Sequence, residues 1–386
     1  MMIFKGGKIL QFGEINGFRE ADILVRDGKI QEIGSSLAPR AGEEIINVTG
    51  KYVTPGLIDA HSHICISEEG VGDVGDDCCD YSGTATPALE VLDGLYPFDR
   101  AVADCVRAGV TTTCVAPGSD GVVGGCAATI RLTGSRADEM IVTRKAAMKC
   151  SVGENPKKAS YSFCSRMGVG YQLRKCFDDA IDYRYRKEEA LKSGSYFRQD
   201  PGMENMLLVL NKELPVHMHA HRSDDIFTAI RIAQEYNFNM VIIHGTDGAV
   251  IADYLAQAQY PVVTGPLMNS RSKTETLHKS FATPGILAKA GVKVSICSDH
   301  DVTPMYFLPV YAALAVQYGM DELEALKAVT INPAETLRIA NCKGALATGM
   351  DADIVIWDGY PLDFRTKTEQ VYIQGILQYS AGREEY

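Results

Sequence analysis

No apolar run in the 386-residue sequence is long enough to cross a bilayer. The opening segment MMIFKGGKILQFGE has no apolar core preceded by basic residues, so no export signal is expected and a cytoplasmic setting is the default. Basic residues form no long run, and 38 Lys and Arg stand against 49 Asp and Glu. The resulting net charge of −11 disfavours nucleic acid and anionic membrane as partners. The 11 cysteines never adopt paired CxxC spacing, so neither a zinc ribbon nor a disulfide framework is indicated. Cys78 and Cys79 stand side by side in an acidic loop over 68–80, and most of the other cysteines read as reduced core thiols. Internal repeats and low-complexity linkers are absent as well.

What is present divides into three stretches. Residues 1–54 read as short strands with turns, KGGKILQFG, ADILVRDGKIQEIG and EEIINVTGKYVTPG, with Asp27-Gly28 as a hairpin signal. Residues 343–386 have the same texture in ATGMDADIVIWDGYPLD and QVYIQGILQYSAG. Neither end can bury a sheet alone, so the two are expected to pair into one small β-sandwich. Over 55–342 apolar strands alternate with helical segments, the pattern of a parallel sheet. About eight strand candidates over 57–299 suit a (β/α)8 barrel.

Seven of the eight histidines fall in four short clusters: His61 and His63; His217, His219 and His221; His244; and His300 beside Asp299. Each cluster ends an apolar strand, and His278 stands apart. All strand C-termini of a barrel converge on one face, so these distant positions can meet around one metal ion. Buried core histidines satisfied by hydrogen bonds would have no reason to collect at strand ends. Within HMHAH, alternation puts His217, His219 and His221 on one face, and spacing does not choose among them.

The segments PGLIDAHSHI and GALATGMDADIVIWDG, with these clusters between them, resemble the amidohydrolase superfamily over nearly the whole chain. HAHR and GENPK are similar to an imidazolonepropionase-like subgroup of unassigned substrate. The resemblance implies a distorted (β/α)8 barrel with a small β-sandwich, and a divalent metal, zinc foremost, as one or two ions. Carried over residue by residue, it assigns His61, His63, His219, His244 and Asp299 as ligands, with Asp299 and His244 also catalytic. The middle ligand lies in AMKCSVGENPK. Lys149 could be carboxylated and bridge two ions, as in dihydroorotase-like members, whereas Glu154 could ligate directly, and its place toward the barrel mouth favours it. His217 would sit deeper, as a core residue or a contact. His221, nearer the mouth, is a candidate substrate contact.

Deaminase-like members carry a proton-shuttling Glu three residues after the fifth-strand His, a position held here by Arg222. This shifts weight toward hydrolysis of an amide, lactam, cyclic ureide, N-acyl amino acid or dipeptide, with Asp299 moving the proton. Arg222, and Arg271 and Lys273 of the loop GPLMNSRSKTE, are further candidates to hold a small-molecule substrate. Two other readings remain: an aminohydrolase acting on a heterocycle, and a non-catalytic assembly protein of the same fold. The resemblance also implies a homodimer or higher homo-oligomer.

Overall fold

The computed structural model describes residues 1–13, 16–39, 42–157 and 164–382. The N-terminal segment forms β1 (Met2–Gln11), β2 (Gly17–Arg26), β3 (Lys29–Gly34), β4 (Glu44–Asn47) and β5 (Tyr52–Pro55). The barrel strands follow as β6 (Leu57–Ser62), β7 (Val110–Val115), β8 (Val123–Arg131), β9 (Ile141–Ser151), β10 (Val216–Ala220), β11 (Met240–His244), β12 (Val262–Thr264) and β13 (Val294–Ile296). The chain returns through β14 (Ile354–Trp357), β15 (Thr368–Ile373) and β16 (Ile376–Ser380).

The two chain ends do join, as one sheet in the order β16-β15-β14-β5-β1-β2-β3, with β4 added to β1. The joint is the antiparallel pairing of β14 with β5, from Ile354 opposite Pro55 to Trp357 opposite Tyr52. Phe4, Ile9, Ile23, Ile30, Val53, Ile354 and Ile356 bury against one another, so each end supplies apolar surface that the other covers. The indole of Trp357 donates to Thr54 Oγ1 at 2.9 Å across the same joint.

The second sheet runs β13-β12-β11-β10-β9-β8-β7-β6. It has the expected eight strands but is not wholly parallel, because β8 runs antiparallel to both neighbours. The physical reason is loop length. Residues 116–122 between β7 and β8 are too few for a parallel crossover, which needs a dozen or more, so the chain must turn back. The expected helices are present, and a further one at Pro201–Leu210 starts at Asp200, whose carboxylate caps the amide of Met203.

Met218 and Ala220 of β10, and Met148, Cys150 and Val152 at the end of β9, pack into the core cluster shared with the surrounding helices. The alternate residues, Lys149 and Ser151 on β9 and His217 and His219 on β10, therefore turn to the opposite face, where His217 lies in register with Lys149 and His219 with Ser151. Among the described residues, no helix is long and apolar enough to cross a membrane.

Candidate metal centre

His61 and His63 close β6 beside Asp299, and His61 Nε2 and His63 Nε2 each lie 3.3 Å from Asp299 Oδ1. The protonation pattern follows from the other ring nitrogens. His63 Nδ1 is 2.7 Å from the carbonyl oxygen of Ala116, and His244 Nδ1 is 2.7 Å from that of Gly265. A carbonyl only accepts, so both Nδ1 atoms carry a proton and Nε2 is the atom that each ring turns toward the cluster. The charge of Asp299 facing these nitrogens favours a cation there, either a proton on the ring or a metal ion in its place, and it raises the imidazole of His63 above its ordinary value despite burial. Among the described residues, neither ring nitrogen of His61, nor Asp299 Oδ1, has a hydrogen-bond partner, although all are buried.

His61, His244 and Asp299 place one donor atom each within 4.8 Å of one another, and so do His219, His221 and His244. Imidazole nitrogens with a carboxylate oxygen, buried and otherwise unpaired, fit a divalent transition-metal ion. Backbone strain marks the same place: His244 (φ 76°) and Asp299 (φ 56°) both occupy the left-handed region, at a cost of about 1–3 kcal/mol each. Charge is stabilised there too. Burial alone would raise the carboxyl of Asp299, but the neighbouring His244, His61 and His63 hold it well below the ordinary carboxylate range.

Hydroxyls orient the fifth-strand histidines. Ser119 Oγ lies 2.9 Å from His219 Nδ1 and accepts from Lys149 Nζ at 2.6 Å, while Thr246 Oγ1 is 2.7 Å from His221 Nδ1. Lys149 is fully buried, and burial lowers its amine below the ordinary lysine value. His217 lies in register with Lys149 and is fully buried; burial pushes its ring down to about 3, and neither of its ring nitrogens has a partner among the described residues.

The two candidates for the middle position are placed differently. Glu154 is in neither of these donor groups among the described residues: its Oε2 accepts the amide of Glu275 at 3.2 Å, and its own amide donates to Glu275 Oε2 at 3.0 Å. β9 ends at Ser151, and Gly153 (φ 93°) turns the chain away before Glu154 is reached. Lys149, still on the strand, is the residue of that segment that sits beside the histidines.

The cations also sort differently from expectation. Arg222 pairs with Asp224, two residues on, at 2.9 and 3.1 Å, and Arg271 donates to the carbonyl of Lys279 at 2.9 Å. Lys273 reaches the rim, donating to Asn155 Oδ1 at 2.6 Å. His300 is occupied by the amide of Met305, 3.2 Å from its Nδ1, and His278 by Asp247 at 3.0 Å.

Two features escaped the sequence reading. Glu275 is buried, with Oε1 3.6 Å from His219 Nε2 and 3.7 Å from His221 Nε2. Its only signal in the sequence is that it is the acid ending GPLMNSRSKTE, two residues after Lys273. Lys279 is also buried, donating to Asn269 Oδ1 and to the carbonyl of Ser270. Cys78 and Cys79 pack against Gly118, where an added Cβ would stand 2.9 Å and 2.2 Å from their sulfurs, next to Ser119.

A model of the amidohydrolase family matches residues 52–380, and the chain belongs to that family. Its backbone superposes on the solved structure of an amidohydrolase from Thermotoga maritima MSB8 with a TM-score of 0.94 at 39 % identity, covering 98 % of this chain and 100 % of that one. The amidohydrolase tasK of Hapsidospora irregularis is 27 % identical over 389 residues, or 93 % of this chain. The chain spans 40 % of the length of that relative. A dihydroorotase from Trichlorobacter lovleyi is 32 % identical over 117 residues, 30 % of this chain and 22 % of the dihydroorotase.

Proposed function

From its membership of the amidohydrolase family, we propose that the chain hydrolyses a C–N bond of a small polar molecule with a divalent metal, zinc foremost. The observation that carries this reading is the buried group of His61, His244 and Asp299, whose donor atoms lie within 4.8 Å of one another, with Asp299 Oδ1 also 3.3 Å from His63 Nε2. His61, His63, His219, His244 and Asp299 would hold the ion, with Lys149 rather than Glu154 at the middle position. A divalent ion held there lowers the pKa of water from about 15.7 toward roughly 7 and polarises a carbonyl.

The remaining chemistry belongs to the chain. Asp299 stays ionised in its ring of imidazoles, so it can take a proton from the attacking water and return it to the leaving nitrogen. His244, held by the Gly265 carbonyl, keeps its orientation throughout. Burial disposes Lys149 toward the neutral amine, the form that would react with carbon dioxide to a carbamate, as the dihydroorotase-like resemblance implies. Amides, lactams, cyclic ureides, N-acyl amino acids and dipeptides are the substrate class; similarity to a dihydroorotase supports its cyclic members.

The test is metal depletion, reconstitution with zinc, iron or manganese, and assay against that panel and against aminated heterocycles. Turnover of an amide-type substrate that returns in proportion to bound metal is expected. Full activity in depleted protein would sink the reading, and ammonia release from the heterocycles alone would replace it with deamination.

A further inference from the structure

The loop after β12 concentrates positive charge in an acidic chain. Residues 265–282 hold Arg271, Lys273 and Lys279 against Glu275 as the one acid, while the chain as a whole carries a net charge of −11. The loop begins at Gly265, whose carbonyl holds His244. It walls a pocket of about 330 Å³ whose lining includes Asn269, Arg271, Lys279, Ser280, Phe281 and Tyr318. No carboxylate lines this pocket among the described residues.

Lys279 gives the pocket its chemistry. It is 7 % exposed, yet the acceptors of its ammonium are neutral: Asn269 Oδ1 and, at 3.4 Å, the carbonyl of Ser270. It forms no ion pair among the described residues. An ammonium has three donors, so one N–H is left for a ligand. Arg271 Nη2 donates to the carbonyl of Lys279 at 2.9 Å, which fixes the guanidinium at the pocket and leaves its other N–H groups uncommitted among the described residues. A buried cation that meets only neutral acceptors is costly unless an anion joins it. Burial lowers the Lys279 amine, Asp299 acts to raise it, and Arg271 and Lys273 lower it further, so an anion placed between these cations would favour its charged form.

We propose that Arg271 and Lys279 form a binding site for an oxyanion, the carboxylate or phosphate group of a small molecule. A guanidinium matches the paired oxygens of either group, and a buried ammonium supplies a point charge that salt screens little. The volume lies at the lower end of small-molecule sites, roughly 300–1,000 Å³, so there is room for more than the anion itself. Two sources share this chemistry: the charged end of a molecule cleaved at the imidazole cluster, and a free anion that binds beside it.

Calorimetric titration of metal-depleted full-length protein, in which no metal ion competes for the anion, uses inorganic phosphate, N-acetyl-alanine and the uncharged amide of N-acetyl-alanine. At least one of the two anions is expected to bind saturably. Lys279→Met should weaken that anion roughly 10–100-fold, the usual worth of a hydrogen bond to a charged group, and leave the amide unchanged. Arg271→Met, at an exposed position, tests the same pocket should Lys279→Met not fold. Weakened N-acetyl-alanine, with a matching fall in its turnover by the zinc-loaded variant, identifies the carboxylate of a substrate. Weakened phosphate with turnover unchanged identifies a free anion. No saturable binding of either anion, or equal affinity in the unaltered protein and both folded variants, would overturn the site. The titration contains no metal, so a zinc-loaded protein that hydrolyses nothing would sink the proposed function and leave the anion site standing.

Discussion

The carboxylate of Asp59 reaches Ser298 across the seam between the first and last strands of the barrel, accepting its amide at 2.9 Å through Oδ2 while Oδ1 accepts the amide of His61 at 3.0 Å. Asp59 is fully buried. The amide of Asp299 donates to the carbonyl of His61 at 3.2 Å, and that of His63 to the carbonyl of His300. Asp59→Ala would leave two buried amides without an acceptor, at about 1–3 kcal/mol each. A loss of roughly 2–5 kcal/mol in denaturant unfolding of metal-depleted protein is expected. A loss under about 1 kcal/mol would show that the barrel closes without this bridge.

Asp299 should matter through chemistry. Asp299→Asn keeps the size of the side chain but removes the proton acceptor and the charge facing His61 and His63. Turnover is expected to fall by roughly 10²–10⁴-fold, the usual contribution of a positioned acid–base group, with far-ultraviolet circular dichroism unchanged. Steady-state kinetics matching the unaltered protein would remove Asp299 from the mechanism.

Arg222 should matter little. Its guanidinium is committed to Asp224 at the start of the helix Ser223–Tyr236. Arg222→Ala is expected to change stability by within about 0.5 kcal/mol and kcat/KM by no more than about twofold. A tenfold rise in KM would mean that the side chain swings in to meet substrate.

Cys79 should be the reactive thiol of the adjacent pair. A hydrogen bond from Cys78 favours its thiolate and outweighs burial, holding it below the ordinary thiol value, whereas the same bond raises Cys78. The rate of alkylation at Cys79, followed by peptide mass mapping, should reach half its maximum well below pH 8.5, the usual value of about 8.5 being approached in Cys78→Ala. An unshifted midpoint in the unaltered protein would contradict the thiol–thiol contact.

Asp22 gives the chain-end sheet a pH dependence. It accepts from Lys5 Nζ at 2.5 Å and from the amides of Gly6 and Leu37 at 2.8 Å each. Burial acts to raise its carboxyl, but these bonds outweigh burial and lower it. The folded value lies below the unfolded one, so the stabilisation is complete above about pH 4 and is lost as pH falls through the folded value. Asp22→Asn should cost about 1–3 kcal/mol at pH 7, narrowing in acid. A constant difference from pH 7 to pH 2 would refute the linkage.

Much of this was legible without coordinates, because it depends on local pattern. Histidines closing apolar strands announce a site wherever strand ends converge, and the β texture of both termini announces a shared sheet. Even the reversed β8 was present in the short stretch 116–122, through a rule of chain length. Tertiary structure alone decided which side chains reach the centre. Glu154 looked the better ligand than Lys149 because it lies further along the chain, yet the end of β9 and the turn at Gly153 carry it to the rim while the strand holds Lys149 inside. Glu275 reached His219 and His221 from a loop 54 or more positions away in sequence, a contact that only the packing of the loop after β12 over the barrel end creates. Strand periodicity dictates the face on which a residue lies, but the bond angles of a turn and the path of a loop determine the direction in which its charge points.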